Sequence, residues 1–310
     1  MFRKKKKNKV IVIGLDGVPY SFLKKHSPNT LSSFSFLHTK GSFRQMNSVY
    51  PTVSSVAWTS FLTGKNPAKH RIFGFADRTP NPFQLFIPLA DHKGCPDILD
   101  ILSDHNKKVI CINVPVTFPP KKVNGYLVSG FMCPAISKGT FPSSLETRLT
   151  SMDYIIDVDA KKGHTDKNSF MDDLHRALDK RIEIFYHFLK EDADYYHMHF
   201  METDRINHFF WHEKDDPINP YHTSFFAFYK KIGNFLSDLL NNYKEHTIVI
   251  LSDHGFATCK KEVNLDVWMK DNEFLRYKTL TPKGLNDIDL SQTHAYNLIP
   301  GRIFINLCNR

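Results

Sequence analysis

The sequence predicts an α/β fold: a three-layer sandwich with a mainly parallel central sheet flanked by helices. Three observations carry this prediction. Short runs rich in β-branched, aliphatic and aromatic residues occur at 10–15, 108–113, 195–200 and 247–251. Strands that read as near-continuous apolar runs suit a parallel sheet covered on both faces. Between them lie segments with helical patterning at 59–63, 96–102 and 168–190, and such alternation builds the α/β layered class. Finally, Asp16, Asp204 and Asp253 each follow closely on one of these runs. In parallel strands all three emerge at the same edge, where ligands of open α/β sheets gather.

Segments rich in Pro, Gly and Lys interrupt this order at 79–95 and 115–140. They read as loops or an insertion over the sheet edge. The expected organisation is a basic disordered tail at residues 1–9 and a single domain at 10–310.

The composition is that of an ordinary globular chain, 41% hydrophobic and 24% charged over 310 residues, so a buried core is feasible. Much of the net charge of +9 sits in Arg3, Lys4, Lys5, Lys6, Lys7 and Lys9. That run reads as a solvated terminus or as a weak contact to an anionic membrane. No basic helical face with interleaved aromatics exists, so nucleic-acid binding is not expected. No apolar stretch is long enough to span a membrane. Five scattered cysteines without a C-x-x-C pair point to a reducing, cytoplasmic location.

The chemistry concentrates in a few residues. Asp204 and His208 stand four apart, on one face of a helix, close enough to share one ion. The same pair also fits a helix cap followed by a surface histidine. Asp253-His254-Gly255 fits an acidic turn or a ligand pair. Ser54 opens a helical segment, either as its N-cap or as a nucleophile where helix N–H groups receive an anion. His197 and His199 alternate on a strand and share a face; they fit a metal pair, but core or sheet-face histidines are the expected role.

These residues form an ordered set. Leu15-Asp16-Gly17 is followed by Pro51-Thr52-Val53-Ser54-Ser55-Val56-Ala57-Trp58, then Thr63-Gly64-Lys65-Asn66-Pro67, Thr203-Asp204-Arg205 with His208, and Ser252-Asp253-His254-Gly255. Together with Phe118-Pro119-Pro120, Phe209-Phe210-Trp211 and Pro300-Gly301-Arg302-Ile303-Phe304-Ile305-Asn306, the set resembles the alkaline phosphatase superfamily. Within it the chain looks like the type I phosphodiesterase/nucleotide pyrophosphatase family, prokaryotic branch. The resemblance implies an alkaline-phosphatase-like fold, hydrolysis of a small phosphorylated substrate, and a phospho-enzyme intermediate on Ser54. It also implies two divalent metal ions, commonly zinc; Asp/His sets accept manganese or iron as well. Asp16, Asp253, His254 and the Ser54 oxygen match the ligands of one ion, and Asp204 with His208 match two ligands of the other.

The family's second ion normally takes a further histidine from a segment C-terminal to the equivalent of residues 303–306. The chain is therefore expected to lack the C-terminal part of the domain; His294 fits either a substitute ligand or a polar loop residue. Arg71 stands where a glycine is usual, Phe75 where animal enzymes carry a phosphate-binding asparagine, and Val56 where a proline is common. Trp58 and Arg71 are the candidate substrate contacts, with Phe73, Phe75, Phe209, Phe210 and Trp211 as an aromatic pocket or core. Two other readings stay open: hydrolysis of a sulfate or phosphonate ester, and a catalytically impaired remnant that binds phosphorylated ligands or protein partners. A sulfatase Cys/Ser-x-Pro-x-Arg sequence is absent.

Overall fold

The structure is a computed structural model that describes residues 9–80, 83–299 and 301–307. The basic run at residues 3–7 and Cys308 lie outside the described residues; Lys9 opens the first strand. In chain order the strands are β1 (Lys9–Leu15), β2 (Asp77–Pro80), β3 (Phe83–Phe86), β4 (Val109–Val114), β5 (Gly125–Ser129) and β6 (Thr140–Phe141), then β7 (Tyr195–Phe200), β8 (His246–Leu251), β9 (Ala295–Ile299) and β10 (Arg302–Ile305). The helices are α1 (Tyr20–His26), α2 (Ser54–Thr63), α3 (Pro67–His70), α4 (Ile98–Asp104), α5 (Leu145–Thr150), α6 (Lys162–Thr165), α7 (Lys167–Leu189), α8 (Glu202–Phe210), α9 (Pro220–Asn242) and α10 (Leu265–Asp271). The chain divides into two compact units, residues 1–71 with 89–258, and residues 72–88 with 259–310.

The larger unit holds a six-stranded sheet in the order β6-β5-β4-β7-β1-β8. All of its pairings are parallel except β5 with β6. Strand alternation divides its core in two. Ile11, Ile13 and Leu15 of β1 join Tyr196, Met198 and Phe200 of β7 in a cluster with the apolar faces of α1, α7 and α9. Val12 and Tyr195 face the other way, onto Trp58 and Leu62 of α2 and Leu99 of α4. These are the expected three layers.

The helix ends follow local chemistry. Asp166 caps α7 by accepting from the Ser169 N–H, and Asn219 caps α9 ahead of a proline in the first turn. Gly64 closes α2 in the left-handed region at φ 62°. Close approach of α2 to the sheet depends on Gly14, whose Cβ would lie 2.4 Å from Trp58 Cη2. A larger residue there would lift the indole off β1.

The smaller unit has two antiparallel hairpins, β2–β3 and β9–β10, and α10. Met269, Leu275, Ile288 and Tyr296 form its buried cluster. Arg78 lies 4.4 Å over the Phe304 ring and donates from Nε to the Tyr296 hydroxyl at 2.7 Å.

Most expected strands appear within a residue or two of their predicted bounds, but the region 115–140 does not stay a loop. It contains β5, where Leu127 and Val128 are buried. Helix α9, unassigned in the sequence, supplies much of the core. Among the described residues no helix is long and apolar enough to cross a membrane.

His197 and His199 point toward the α2 layer, with ring centroids 5.9 and 4.7 Å from Trp58. Burial pushes the His197 imidazole down to about 3, with His199 adding to the effect. Above pH 6.5 this ring is neutral in folded and unfolded chains alike and adds no pH dependence. Between about 6.5 and about 3 only the unfolded chain takes up the proton, so stability falls as pH falls. The full effect is of order 5 kcal/mol, from about 1.4 kcal/mol per pH unit. Chemical denaturation at pH 7, 5.5 and 4 should show a steeper loss for the native chain than for His197→Phe.

Candidate active site

Strands β1, β7 and β8 are neighbours and parallel, so the segments that leave them meet at one edge of the sheet. Asp16 follows β1 directly, Asp204 lies in the first turn of α8 after β7, and Asp253-His254 follows β8. Ser54 enters from the side as the first residue of α2. The alternative that Ser54 caps its helix does not hold, because Val53 is the N-cap and no side chain caps the helix. Asp204 is no cap either; Met201 precedes the first turn of α8.

Asp16 is fully buried and its two oxygens have separate partners. Oδ2 accepts from Trp58 Nε1 at 2.9 Å and lies 2.8 Å from His199 Nε2. Oδ1 accepts from the Ser54 hydroxyl at 3.1 Å and stands 3.6 Å from His254 Nε2. Ser54 Oγ is also 3.1 Å from His254 Nε2. Ligand atoms from Asp16, Asp204 and His254 all lie within 4.8 Å of one another.

Asp253 uses Oδ1 to accept the Gly17 N–H at 3.0 Å, while its Oδ2 is buried without a hydrogen bond, 3.4 Å from His254 Nε2. His208 Nε2 is 3.4 Å from Asp204 Oδ1, with the side chain 54% exposed and the ring edge-on to Phe256 at 4.8 Å. The loops are tied down by their own polar groups. Thr203 Oγ1 donates to the Asp16 carbonyl at 2.6 Å, Asn207 Nδ2 to the Gly17 carbonyl at 2.8 Å, and Ser48 Oγ to the Asp253 carbonyl at 2.5 Å.

Gly17 adopts φ +66°, and a Cβ there would stand 3.1 Å from Asp204 Oδ1 and 3.3 Å from His254 Cε1. Both the left-handed backbone and the crowding exclude a larger residue.

Burial first, and then the nearby Asp204 charge, raise the Asp16 carboxyl to about 7. Burial and Asp16 likewise raise Asp253 to about 7. Burial acts to lower the His254 imidazole, but the Asp253 and Asp16 carboxylates outweigh it and hold it above its ordinary value. Crowded, poorly solvated carboxylates beside an imidazole are stabilised by protons or by a positive charge among them. Oxygen and nitrogen donors of this kind suit a hard or borderline divalent cation. The unpartnered Asp253 Oδ2 is a further donor, so the residues present fit such an ion.

The edge thus brings together Asp16, Ser54, Asp204, His208, Asp253 and His254. His294 belongs to the smaller unit, where its N–H donates to the Phe274 carbonyl. Trp58 corrects its expected role: it is 0% exposed and holds Asp16, so its indole is no stacking surface for a substrate. Arg71 is exposed and ends α3 in the left-handed region at φ 65°. Phe210 is core, Phe209 packs partly buried against that core, and Trp211 lies 5.7 Å from Phe256. Phe73 and Phe75 belong to the smaller unit.

Sequence reasoning missed His199 and the true part of Trp58. A signal for Trp58 was present: it follows Ser54 by four residues, hence shares its helix face, and both reach Asp16. For His199 nothing in the alternation with His197 tells which ring meets the carboxylate.

Comparison with known proteins bears on the fold and the family. The chain resembles phosphonoacetate hydrolase from Sinorhizobium meliloti 1021 solved with phosphonoformate, at 15% identity and a TM-score of 0.62, covering 86% of this chain and 62% of that one. The same enzyme with phosphonoacetate gives 16% identity and a TM-score of 0.65, covering 90% and 66%. An inactive murine ectonucleotide pyrophosphatase/phosphodiesterase 5 in complex with AMP gives 16% and 0.55, covering 87% and 63%. The chain therefore spans about two thirds or less of the length of these structures, and at such identity they establish the fold. No curated protein sequence matches the chain. The family model for type I phosphodiesterase/nucleotide pyrophosphatase matches residues 10–302, and the chain belongs to that family.

Proposed function

We propose that the chain is a metal-dependent hydrolase of phosphate esters with Ser54 as nucleophile. The observation that carries this reading is the position of Ser54 Oγ, 3.1 Å from both Asp16 Oδ1 and His254 Nε2, beside the close group of Asp16, Asp204 and His254.

Attack by Ser54 Oγ on phosphorus forms a phosphoserine, and the ester P–O bond breaks with release of the alcohol. Water then cleaves the phosphoserine and restores the hydroxyl. Asp16 Oδ1 holds the Ser54 proton before attack. The N–H groups of Ser54 and Ser55 open α2, ahead of the first bonds made by Val56 and Ala57 to the Val53 carbonyl. They sit at the positive end of the helix dipole, which favours a phosphoryl group.

Asp16, Asp253, His254 and the Ser54 oxygen would hold one divalent ion, and Asp204 with His208 the other. Ions held there would lower the hydroxyl's pKa and offset the charge on the phosphoryl and leaving oxygens. Zinc is the first choice, with manganese or iron accepted by the same donors. We place the protein in the cytoplasm, a reading supported by the free thiols of Cys95, Cys111, Cys133 and Cys259.

The substrate is a small phosphorylated compound. The phosphonate bound by the Sinorhizobium enzyme and the nucleotide bound by the murine one supply the test panel. It comprises mono- and bis-p-nitrophenyl phosphate, AMP esters, phosphonoacetate and p-nitrophenyl sulfate, each with zinc, manganese or magnesium. Turnover of a phosphate ester by folded protein is the expected result. Metal and phosphate binding without turnover on any of them would favour the binding-only reading.

Ser54→Ala should lower kcat by roughly three orders of magnitude or more with an unchanged circular dichroism spectrum. Trp58→Phe keeps the ring but removes the donor to Asp16. It should cost about ten- to a hundredfold in kcat/KM, the worth of a hydrogen bond to a charged group. Steady-state kinetics on the best ester checks both.

A further inference from the structure

The first turn of α8 carries Asp204, and two ion pairs bracket it. On one side Glu202 Oε1 accepts from Arg181 Nε at 3.1 Å and from Nη2 at 2.5 Å, with the Arg181 and Glu202 side chains 0% and 1% exposed. Arg181, from the middle of α7, also donates to the Tyr154 hydroxyl at 2.7 Å and to the Ile156 carbonyl at 3.0 Å. On the other side Arg205 grips Asp157 through two bonds, Nε to Oδ1 at 3.2 Å and Nη2 to Oδ2 at 2.5 Å. Its guanidinium lies 4.9 Å over the Phe131 ring. Both arginines therefore anchor on one short irregular segment, residues 154–157.

A buried charged pair stabilises a fold less than apolar residues of the same size would. Glu202 Oε2 even lacks a hydrogen bond. The arrangement makes better sense for what it does to the residue between the pairs. With its Nε and Nη2 edge committed to Asp157, Arg205 leaves Nη1 facing Asp204 Oδ2 at 3.7 Å. Asp204 Oδ1 is left on the side of His208 and Gly17.

We propose that Asp157 and Arg205, backed by Arg181 and Glu202, form a truss that fixes the orientation of Asp204 and thereby sets the affinity of the candidate metal centre. Arg205 and Asp157 act through Asp204 and are positioning residues. Rigid second partners of this kind tune metal ligands without touching the ion. The inference rests on the reading of Asp16, Asp204 and His254 as ligands, and the test separates the two.

The metal-free native chain, Asp157→Asn, Arg205→Lys and Asp204→Asn would each be titrated with Co²⁺, followed by calorimetry and visible absorption, with thermal unfolding measured alongside. Asp157→Asn should weaken Co²⁺ binding about 10- to 100-fold and alter the ligand-field spectrum while unfolding stays cooperative. Arg205→Lys keeps the charge but loses the planar fork and should also weaken binding; it decides the matter alone if Asp157→Asn does not fold. Native affinity and spectrum in both variants, with binding lost in Asp204→Asn, would overturn the truss and leave the metal reading standing. Absence of Co²⁺ binding by the native chain would overturn both.

Discussion

The site depends on a carboxylate whose two oxygens are kept apart in function. Asp16 leaves the end of β1 into a region with no exposure to solvent, where an isolated carboxylate is costly. Trp58 and His199 take Oδ2, which leaves Oδ1 for Ser54 and for the group with Asp204 and His254. If the carboxyl rotated, the serine would lose its partner and the ligand group one of its oxygens. Much around it serves to prevent that. Gly14 lets the indole lie against β1, and Thr203 and Asn207 hold the carbonyls of Asp16 and Gly17.

Parallel topology makes this arrangement cheap in chain length. Neighbouring β7, β1 and β8 all end at one edge, so Asp204, Asp16 and Asp253 arrive there within a few residues of their strands. The second face of the sheet is filled largely with aromatics from α1 and α9, such as Phe22, Phe225 and Tyr229. One link crosses between these roles: the Tyr229 hydroxyl donates to Asn207 Oδ1, and Asn207 then holds Gly17. The site edge is thus braced from the core helix α9 as well as from the sheet.

The layered class and the edge that gathers Asp16, Asp204 and Asp253 were legible because apolar runs of strand length ended in acidic residues. What stayed hidden has physical reasons. Strand β5 is five residues long, Gly125–Ser129, in a stretch dense in Pro and Gly, so turn chemistry masks it. Helix α9 carries Phe225, Phe226, Phe228 and Tyr229 almost side by side, a run that reads as readily as a strand. Trp58 looked like a substrate surface because an indole near the candidate nucleophile suits stacking. Only the packing against Gly14 reveals that it faces inward. Ion pairs such as Arg205 with Asp157 join residues 48 apart in sequence and have no local signature.

The charges around the edge can be matched one against another. Arg181 is committed to Glu202 and Arg205 to Asp157, each donating two bonds from its guanidinium to the carboxylate. His199 is driven toward its neutral form by burial and brings no charge to Asp16. Among the described residues that leaves Asp16, Asp204 and Asp253 beside the imidazoles of His254 and His208 and the more distant face of Arg205. Such an excess of carboxylate, in a region too apolar to solvate it, is stabilised either by taking up protons or by binding cations. The raised Asp16 and Asp253 values describe the first outcome. A divalent ion would provide the second and would leave the carboxylates ionised beside Ser54.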